Sequence, residues 1–201
     1  MGKILTNDQV VALARSNGII PAALLAVRQV ESGNRSGFLS SGRPQILFEG
    51  HIFYKYLKSY RKDLNLNELM KKYPTLIYKY WTKIHYRGGE DEWNYRLLKA
   101  RDIDENLANM SASWGMFQVM GFNYKLCNCS SIESFVKKME SSGLAQLELT
   151  LNFLRNTGII QYLNKLDWTG FAKRYNGSGY AQNRYHIKLE TYYKKYVKLY
   201  P

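Results

Sequence analysis

Residues 21–33, with the sequence PAALLAVRQVESG, decide how the chain is organised. A proline is a favourable first helical residue, and the apolar positions behind it predict a buried helix. Leu24, Val27 and Glu31 are separated by three and four positions, so they share one face of that helix. Gly33 follows at a position where helices commonly end in a left-handed residue. The pattern therefore predicts a carboxylate beside the buried face, where the helix ends.

A carboxylate at that position has two interpretations. Apolar neighbours remove water from it, which raises its pKa and lets it serve as a general acid near neutral pH. Alternatively, Glu31 is an ordinary helix-end residue that points into solvent. The spacing alone does not choose between the two.

The composition suits a single domain with its own core, because the 201 residues are 45% hydrophobic. Seventeen Tyr and four Trp are expected in the core or as platforms for sugar rings or bases. The net charge of +13 favours anionic partners, among them nucleic acid, teichoic acid, lipopolysaccharide, anionic lipid and peptidoglycan. Nucleic acid is not expected, since no usual recognition motif is present.

Cys127 and Cys129 are separated by one residue, which is too close for an unstrained disulfide. No further Cys or nearby His completes a zinc site, so free thiols are predicted, and no metal or organic cofactor is expected. The first residues lack the apolar core of a secretory signal, and no apolar run reaches the length of a membrane span. We expect synthesis in the cytoplasm, with release by a separate factor if the protein acts outside.

Helical spacing and capping residues predict a mainly α fold. Residues 32–50 are rich in helix breakers and carry the short apolar run 45–49, which predicts a minimal β-hairpin lobe near residues 42–49 with a second carboxylate, Glu49. The predicted helices cover roughly residues 6–16, 21–31, 51–57, 67–73, 75–83, 92–108, 131–141, 144–157, 167–175 and 183–199.

Two further stretches, residues 111–121 and the C-terminal helix predicted over residues 183–199, contain candidate functional groups. In residues 111–121 (SASWGMFQVMG), Ser113 is predicted to cap a short helix, and Gly115 permits a close approach of backbone or ligand. Gln118 either faces solvent or needs hydrogen-bond partners. The basic C-terminal helix has two interpretations: a solvated basic face on a helix that Tyr185, Leu189 and further tyrosines anchor in the core, or a surface for an anionic envelope.

Three short elements resemble those of the goose-type lysozyme and soluble lytic transglycosylase superfamily, namely Glu31-Ser32, Gly115–Gln118 and Tyr175–Gly177. The resemblance to the phage endolysin N-acetylmuramidase family is closer and covers about residues 8–197. It is carried by residues 29–33, by residues 42–53 (GRPQILFEGHIF) and by residues 111–124 (SASWGMFQVMGFNY). Arg174 departs from the small residue that is usual before the Tyr-Asn pair, which leaves the role of Tyr175 less defined.

The resemblance implies a lysozyme-like α+β domain over residues 1–201, without a separate cell-wall-binding domain. It implies cleavage of the β-1,4 bond between N-acetylmuramic acid and N-acetylglucosamine, with Glu31 as general acid and Glu49 as the second carboxylate. Glu49 is expected to activate water as a general base; the alternative is a structural carboxylate paired with Arg43 or His51. We expect the wider carboxylate separation of an inverting enzyme, roughly 6.5–9.5 Å, rather than the 5–5.5 Å of a retaining one. The residues expected to line the sugar groove are Gln118, Asn123, Tyr124, Tyr175 and Asn176.

Two other functions remain open from the sequence. A lytic transglycosylase would need one acid–base residue and would leave 1,6-anhydro-muramic acid ends. A non-catalytic cationic protein would bind the envelope through its charge. In the endolysin interpretation, the protein is expected to be a monomer made in the host cytoplasm, and a separate holin would let it reach the cell wall in the periplasm.

Overall fold

The computed structural model describes residues 3–33 and 36–200 and confirms the mainly α-helical fold with a small β-sheet. A π-helix at Trp93–Leu97 joins two of the α-helices, and 3-10 turns lie at Gly121–Asn123 and Gly177–Tyr180. The strands are β1 (Ile46–Phe48), β2 (Ala112–Trp114) and β3 (Val119–Met120). The α-helices are α1 (Asn7–Ser16), α2 (Pro21–Ser32), α3 (Gly50–Tyr60), α4 (Leu66–Lys72), α5 (Gly89–Glu92), α6 (Leu98–Arg101), α7 (Glu105–Met110), α8 (Ile132–Ser141), α9 (Gly143–Asn156), α10 (Ile160–Asn164), α11 (Trp168–Tyr175) and α12 (Tyr185–Tyr196).

Helix α2 is the central helix, as its apolar sequence predicts. Its residues 22–26 are completely buried, because α1 and α12 pack against it. Gly33 ends the helix in the left-handed conformation, with φ 53°. The core-anchor interpretation of the C-terminal helix is confirmed, since α12 buries Leu189 and Tyr196. The basic side chains of α12 lie on the positions of the helix that are not buried.

The sheet contains more than the predicted lobe near residues 42–49. Its order is β1-β2-β3 and it is antiparallel, with Leu47 opposite Ser113 and Ser113 opposite Met120. The prediction that Ser113 caps a short helix is therefore wrong. Gly115 and Gln118 adopt positive φ values of 72° and 49° and turn the chain back on itself, so residues 112–120 pair with β1 instead of coiling.

Two helix predictions between residues 75 and 108 are also wrong. The helix expected over residues 92–108 ends at Arg101, and α7 starts separately where the Asp104 side chain accepts a hydrogen bond from the Leu107 N–H. Residues 75–83 form no helix, because Arg96 binds the Thr75 carbonyl and the Tyr78 hydroxyl. The short α10 was not predicted.

Two further observations concern the cysteines and the lengths of the helices. The free thiols are confirmed: Cys127 and Cys129 are buried and unbonded to each other, and burial raises the pKa of Cys127 to about 12. Within residues 3–33 and 36–200, no helix has the length and apolar character needed to cross a membrane.

Candidate active site

Glu31 lies in the last turn of α2, where α12 crosses it. The Tyr185 hydroxyl, at the start of α12, donates a hydrogen bond to Glu31 Oε1. Burial raises the pKa of Glu31 to about 7, although the hydrogen bond from Tyr185 opposes that change. The solvent-facing interpretation is therefore excluded, and the carboxyl group can hold a proton near neutral pH.

Two tyrosines surround this carboxyl group. The rings of Tyr175 and Tyr185 are 6.3 Å apart between centroids, and the Tyr175 hydroxyl donates to the Phe117 carbonyl at 3.2 Å. Burial, supplemented by the charge of Glu31, raises the pKa of both phenols well above the usual value. Both hydroxyls therefore remain hydrogen-bond donors. Sequence analysis identified Tyr185 only as a core anchor, because its pairing with Glu31 spans 154 positions.

A cavity of about 320 Å³ opens beside Glu31. It brings together most of the side chains predicted to bind sugar, whose amide and phenol groups suit acetamido and hydroxyl groups. Tyr124 is not part of this lining; its ring is partly buried against the core. The residues that line the cavity are Glu31, Phe117, Gln118, Val119, Met120, Asn123, Phe153, Tyr175 and Asn176.

The β2–β3 hairpin holds Gln118 in place. Its Oε1 accepts from the Ser113 hydroxyl at 2.7 Å, and its Nε2 donates to the Gly115 carbonyl at 2.8 Å. The fully buried Gln146 fixes the turn from behind, since its Oε1 accepts from the Met116 N–H at 2.8 Å. A Cβ atom on Gly115 would lie 2.7 Å from Gln146, so the turn requires glycine. Sequence analysis missed Gln146, which lies inside an ordinary amphipathic helix.

Glu31 also lines a second, smaller pocket together with Gln45 and Met116. Gln45 directly precedes β1, and its side chain lies on the same face of the sheet as that of Leu47. Along this segment Pro44, Ile46 and Phe48 are buried, whereas Gln45, Leu47 and Glu49 are partly exposed. The surroundings of Glu31 therefore continue onto the open face of the sheet.

Glu49 lies at the far end of that open face. Both carboxylate oxygens accept from the Tyr86 hydroxyl, at 2.8 and 2.9 Å, and His51 Nδ1 lies 3.3 Å from Oε2. Glu49 lies four positions after Gln45 in extended chain, so their Cα atoms are about 13 Å apart. In the described part of the chain, neither pocket that contains Glu31 has Glu49 in its lining. The catalytic role of Glu49 remains a prediction.

The described residues contain no group of His, Cys, Asp and Glu side chains arranged to hold a metal ion. The chemistry that this site can perform with its own side chains is proton transfer from a desolvated carboxyl group, in a cavity lined by amides and phenols.

Comparison with known proteins identifies the family of the chain. The N-acetylmuramidase family model matches residues 20–197. The chain belongs to the N-acetylmuramidase family. It is thus a peptidoglycan glycosidase, as the resemblance implied. It is also similar to the crystal structure of the Burkholderia AP3 phage endolysin, with a TM-score of 0.88 and 34% identity over 98% of this chain and 73% of that chain. No curated protein sequence matches.

Proposed function

We propose that this muramidase hydrolyses the β-1,4 bond between N-acetylmuramic acid and N-acetylglucosamine, with Glu31 as the general acid. The observation that carries the proposal is the desolvated Glu31 carboxyl, with a pKa of about 7, at the wall of a cavity that also contains Gln118, Asn123 and Asn176. A group that is protonated near neutral pH can donate to the departing sugar oxygen.

The surrounding side chains suit that step. As Glu31 loses its proton, the hydrogen bond from Tyr185 becomes stronger, because its acceptor is now charged. The same hydroxyl therefore holds the carboxyl group in position beforehand and stabilises the carboxylate afterwards. The amides that line the cavity supply donors and acceptors for the N-acetyl and hydroxyl groups of the two sugars.

Hydrolysis also needs an activated water molecule, and Glu49 is the proposed base. Its position on the open face of the sheet, continuous with Gln45 and hence with the surroundings of Glu31, supports that assignment. A base on the opposite side of the sugar from the acid gives inversion at the anomeric carbon.

Lytic transglycosylation is a second candidate function, which the contacts of Glu49 favour. The Tyr86 hydroxyl lies within hydrogen-bond distance of both Glu49 oxygens, and Glu49 is absent from the described residues that line the two Glu31 pockets. In this reaction Glu31 would first donate its proton to the leaving oxygen and then accept one from the 6-hydroxyl of muramic acid.

Mass spectrometry of fragments released from purified peptidoglycan separates the two reactions. Reducing muramic acid ends would establish hydrolysis, and 1,6-anhydro ends would establish transglycosylation. The Glu49→Gln variant should lose at least about 100-fold in rate if Glu49 activates water. Its control is Glu90→Gln, which removes a partly exposed carboxylate that lies 3.7 Å from Arg43. Equal activity of both variants would remove Glu49 from the mechanism.

We further propose that the protein is a phage endolysin made in the host cytoplasm and admitted to the cell wall by a holin. The similarity to the Burkholderia AP3 phage endolysin supports this role. Expression in a bacterial cytoplasm should cause lysis only after the inner membrane is permeabilised. Binding to peptidoglycan without release of fragments would instead favour the non-catalytic envelope-binding function.

A further inference from the structure

An exposed aromatic and basic surface lies outside the cavity, on residues 79–87. The exposed fractions of Tyr80, Trp81 and Ile84 are 83%, 59% and 80%. Lys79, Lys83 and Arg87 are exposed in the same segment, and Lys83 Nζ lies 5.6 Å from the centre of the Trp81 ring. A cluster of large apolar side chains on a surface marks a site of interaction. We call this cluster the Trp81 surface.

The Trp81 surface is joined to Glu49. The Tyr86 hydroxyl binds both Glu49 oxygens, and the Trp81 side chain lies close enough to the Tyr86 phenol to lower its pKa against the larger effect of burial. Trp81 therefore has one side held near Tyr86 while much of its ring stays open to solvent.

From Glu49, the open face of the sheet leads back to the catalytic carboxyl group. Leu47 and Gln45 follow at alternate positions of the same face, and Gln45 shares a pocket with Glu31. Gln45, Leu47, Glu49 and Tyr86 thus form a row of positions that leads from the Glu31 pocket to the Trp81 surface. The row exists whichever of the two reactions follows.

We propose that the Trp81 surface is a distal subsite for the same peptidoglycan strand that Glu31 cleaves, several sugars away from the broken bond. An exposed indole offers a flat apolar face for a sugar ring. Lys79, Lys83 and Arg87 add positive charge, which suits the carboxylates of the stem peptides along the strand. This inference rests on the proposed function and assigns the enzyme a preference for long strands.

The proposal predicts a change in chain-length selectivity. In the Trp81→Ala variant, kcat/KM for long glycan strands, relative to that for short soluble fragments, should fall about tenfold, which corresponds to roughly 1.4 kcal/mol. The loss should be mainly in KM. The matched control is Tyr60→Ala, since Tyr60 is an aromatic residue with 67% exposure at the end of α3 and lies outside the row. The control should keep the wild-type selectivity, and equal selectivity in both variants would overturn the proposal.

A binding measurement tests the subsite without relying on activity. In the Glu31→Gln background, Trp81→Ala should weaken sedimentation with insoluble peptidoglycan glycan strands about tenfold, and Tyr60→Ala should not. Normal binding by the Trp81 variant would sink the subsite even if the parent enzyme cleaves peptidoglycan. Failure of the parent enzyme to cleave would sink the proposed function alone. Loss of binding only to anionic phospholipid vesicles would assign the surface to a membrane and overturn the glycan proposal.

Discussion

Glu31 and Glu92 are both carboxylates enclosed by the protein, but their partners differ. Glu92 is completely buried and receives the Arg96 guanidinium at 2.5 Å, together with the N–H groups of Phe48, Arg87 and Gly88. Among the described residues, only Tyr185 donates a hydrogen bond to Glu31. Within the described ranges, four groups therefore donate to the Glu92 carboxylate and one donates to that of Glu31.

The difference explains what each region does. A buried carboxylate with a guanidinium and several N–H donors suits the ionised form, so it fixes structure. Arg96 extends that role, because its guanidinium also donates to the Phe48 carbonyl at 2.7 Å and thereby attaches the π-helix to the end of β1. A carboxyl group that loses water without gaining a cation keeps its proton instead. The number of hydrogen-bond donors and cations around a buried carboxylate thus distinguishes a structural role from that of a proton donor. Three substitutions test this distinction.

Glu31→Gln should have the largest effect on activity. Loss of a general acid lowers the rate by about 10²–10⁴-fold. The same substitution should increase the folding stability at high pH although it lowers the activity. The raised pKa of Glu31, about 7 against an ordinary 4.5, means that the native state binds the proton more tightly, so wild-type stability falls as pH rises from 4.5 through 7. Above that pH, the Gln variant should be more stable by up to roughly 3 kcal/mol.

Urea unfolding at pH 4 and pH 8, measured beside the rate of peptidoglycan cleavage, tests this prediction. Glu148→Gln is the matched control, because Glu148 is exposed on α9 and should change neither property. A Glu31→Gln enzyme that cleaves at the wild-type rate would remove Glu31 from the reaction. A stability difference that is the same at both pH values would contradict the desolvation argument.

Arg96→Met should have the largest effect on stability. It would leave the Glu92 charge buried without its cation, which costs about 3–5 kcal/mol. Adding Glu92→Leu should restore part of the loss, since two apolar residues leave no buried charge. Arg43→Met is the control: Arg43 has 42% side-chain exposure and lies 3.7 Å from Glu90, so its loss should cost less than about 1 kcal/mol. Equal losses in the two arginine variants, by urea unfolding, would contradict this comparison.

The sequence predicted the parts of the site that depend on local pattern. The α2 helix, its end at Gly33 and the position of Glu31 beside the buried face follow from neighbours within a few positions, so periodicity and capping were enough to predict them. The acid role of Glu31 came from the family resemblance and stays a prediction. Gln118 followed from a polar residue inside an apolar run together with the family resemblance. These features place Glu31 at the end of α2 and Gln118 in the β2–β3 hairpin, and the two side chains line the same cavity.

The features that sequence analysis missed depend on distant partners. Tyr185 binds Glu31 across 154 positions, and Gln146 binds Met116 across 30, so neither has a local signature. The helix expected over residues 75–83 fails for the same reason. Arg96 captures the backbone of Thr75 from a different segment, and this tertiary contact overrides a weak helical preference.

Tyr185→Phe should have the smallest effect and gives the finest test of the comparison. The Tyr185 hydrogen bond lowers the pKa of Glu31 against the larger effect of burial, so its removal should raise that pKa above about 7. The alkaline limb of the pH–rate profile should then move to higher pH. A hydrogen bond with a net value of about 0.5–1.5 kcal/mol corresponds to a shift of up to roughly one pH unit.

Tyr196→Phe is the control that distinguishes a change in the Glu31 pKa from a general loosening of α12. Tyr196 lies on the same helix, and its hydroxyl donates to Gln29 Oε1 of α2 at 2.9 Å, so both variants lose one α12–α2 hydrogen bond. Each should cost about 1 kcal/mol of stability, but only Tyr185→Phe should move the alkaline limb. A shift to lower pH, or equal shifts in both variants, would mean that Tyr185 acts on the packing of α12 rather than on the Glu31 proton.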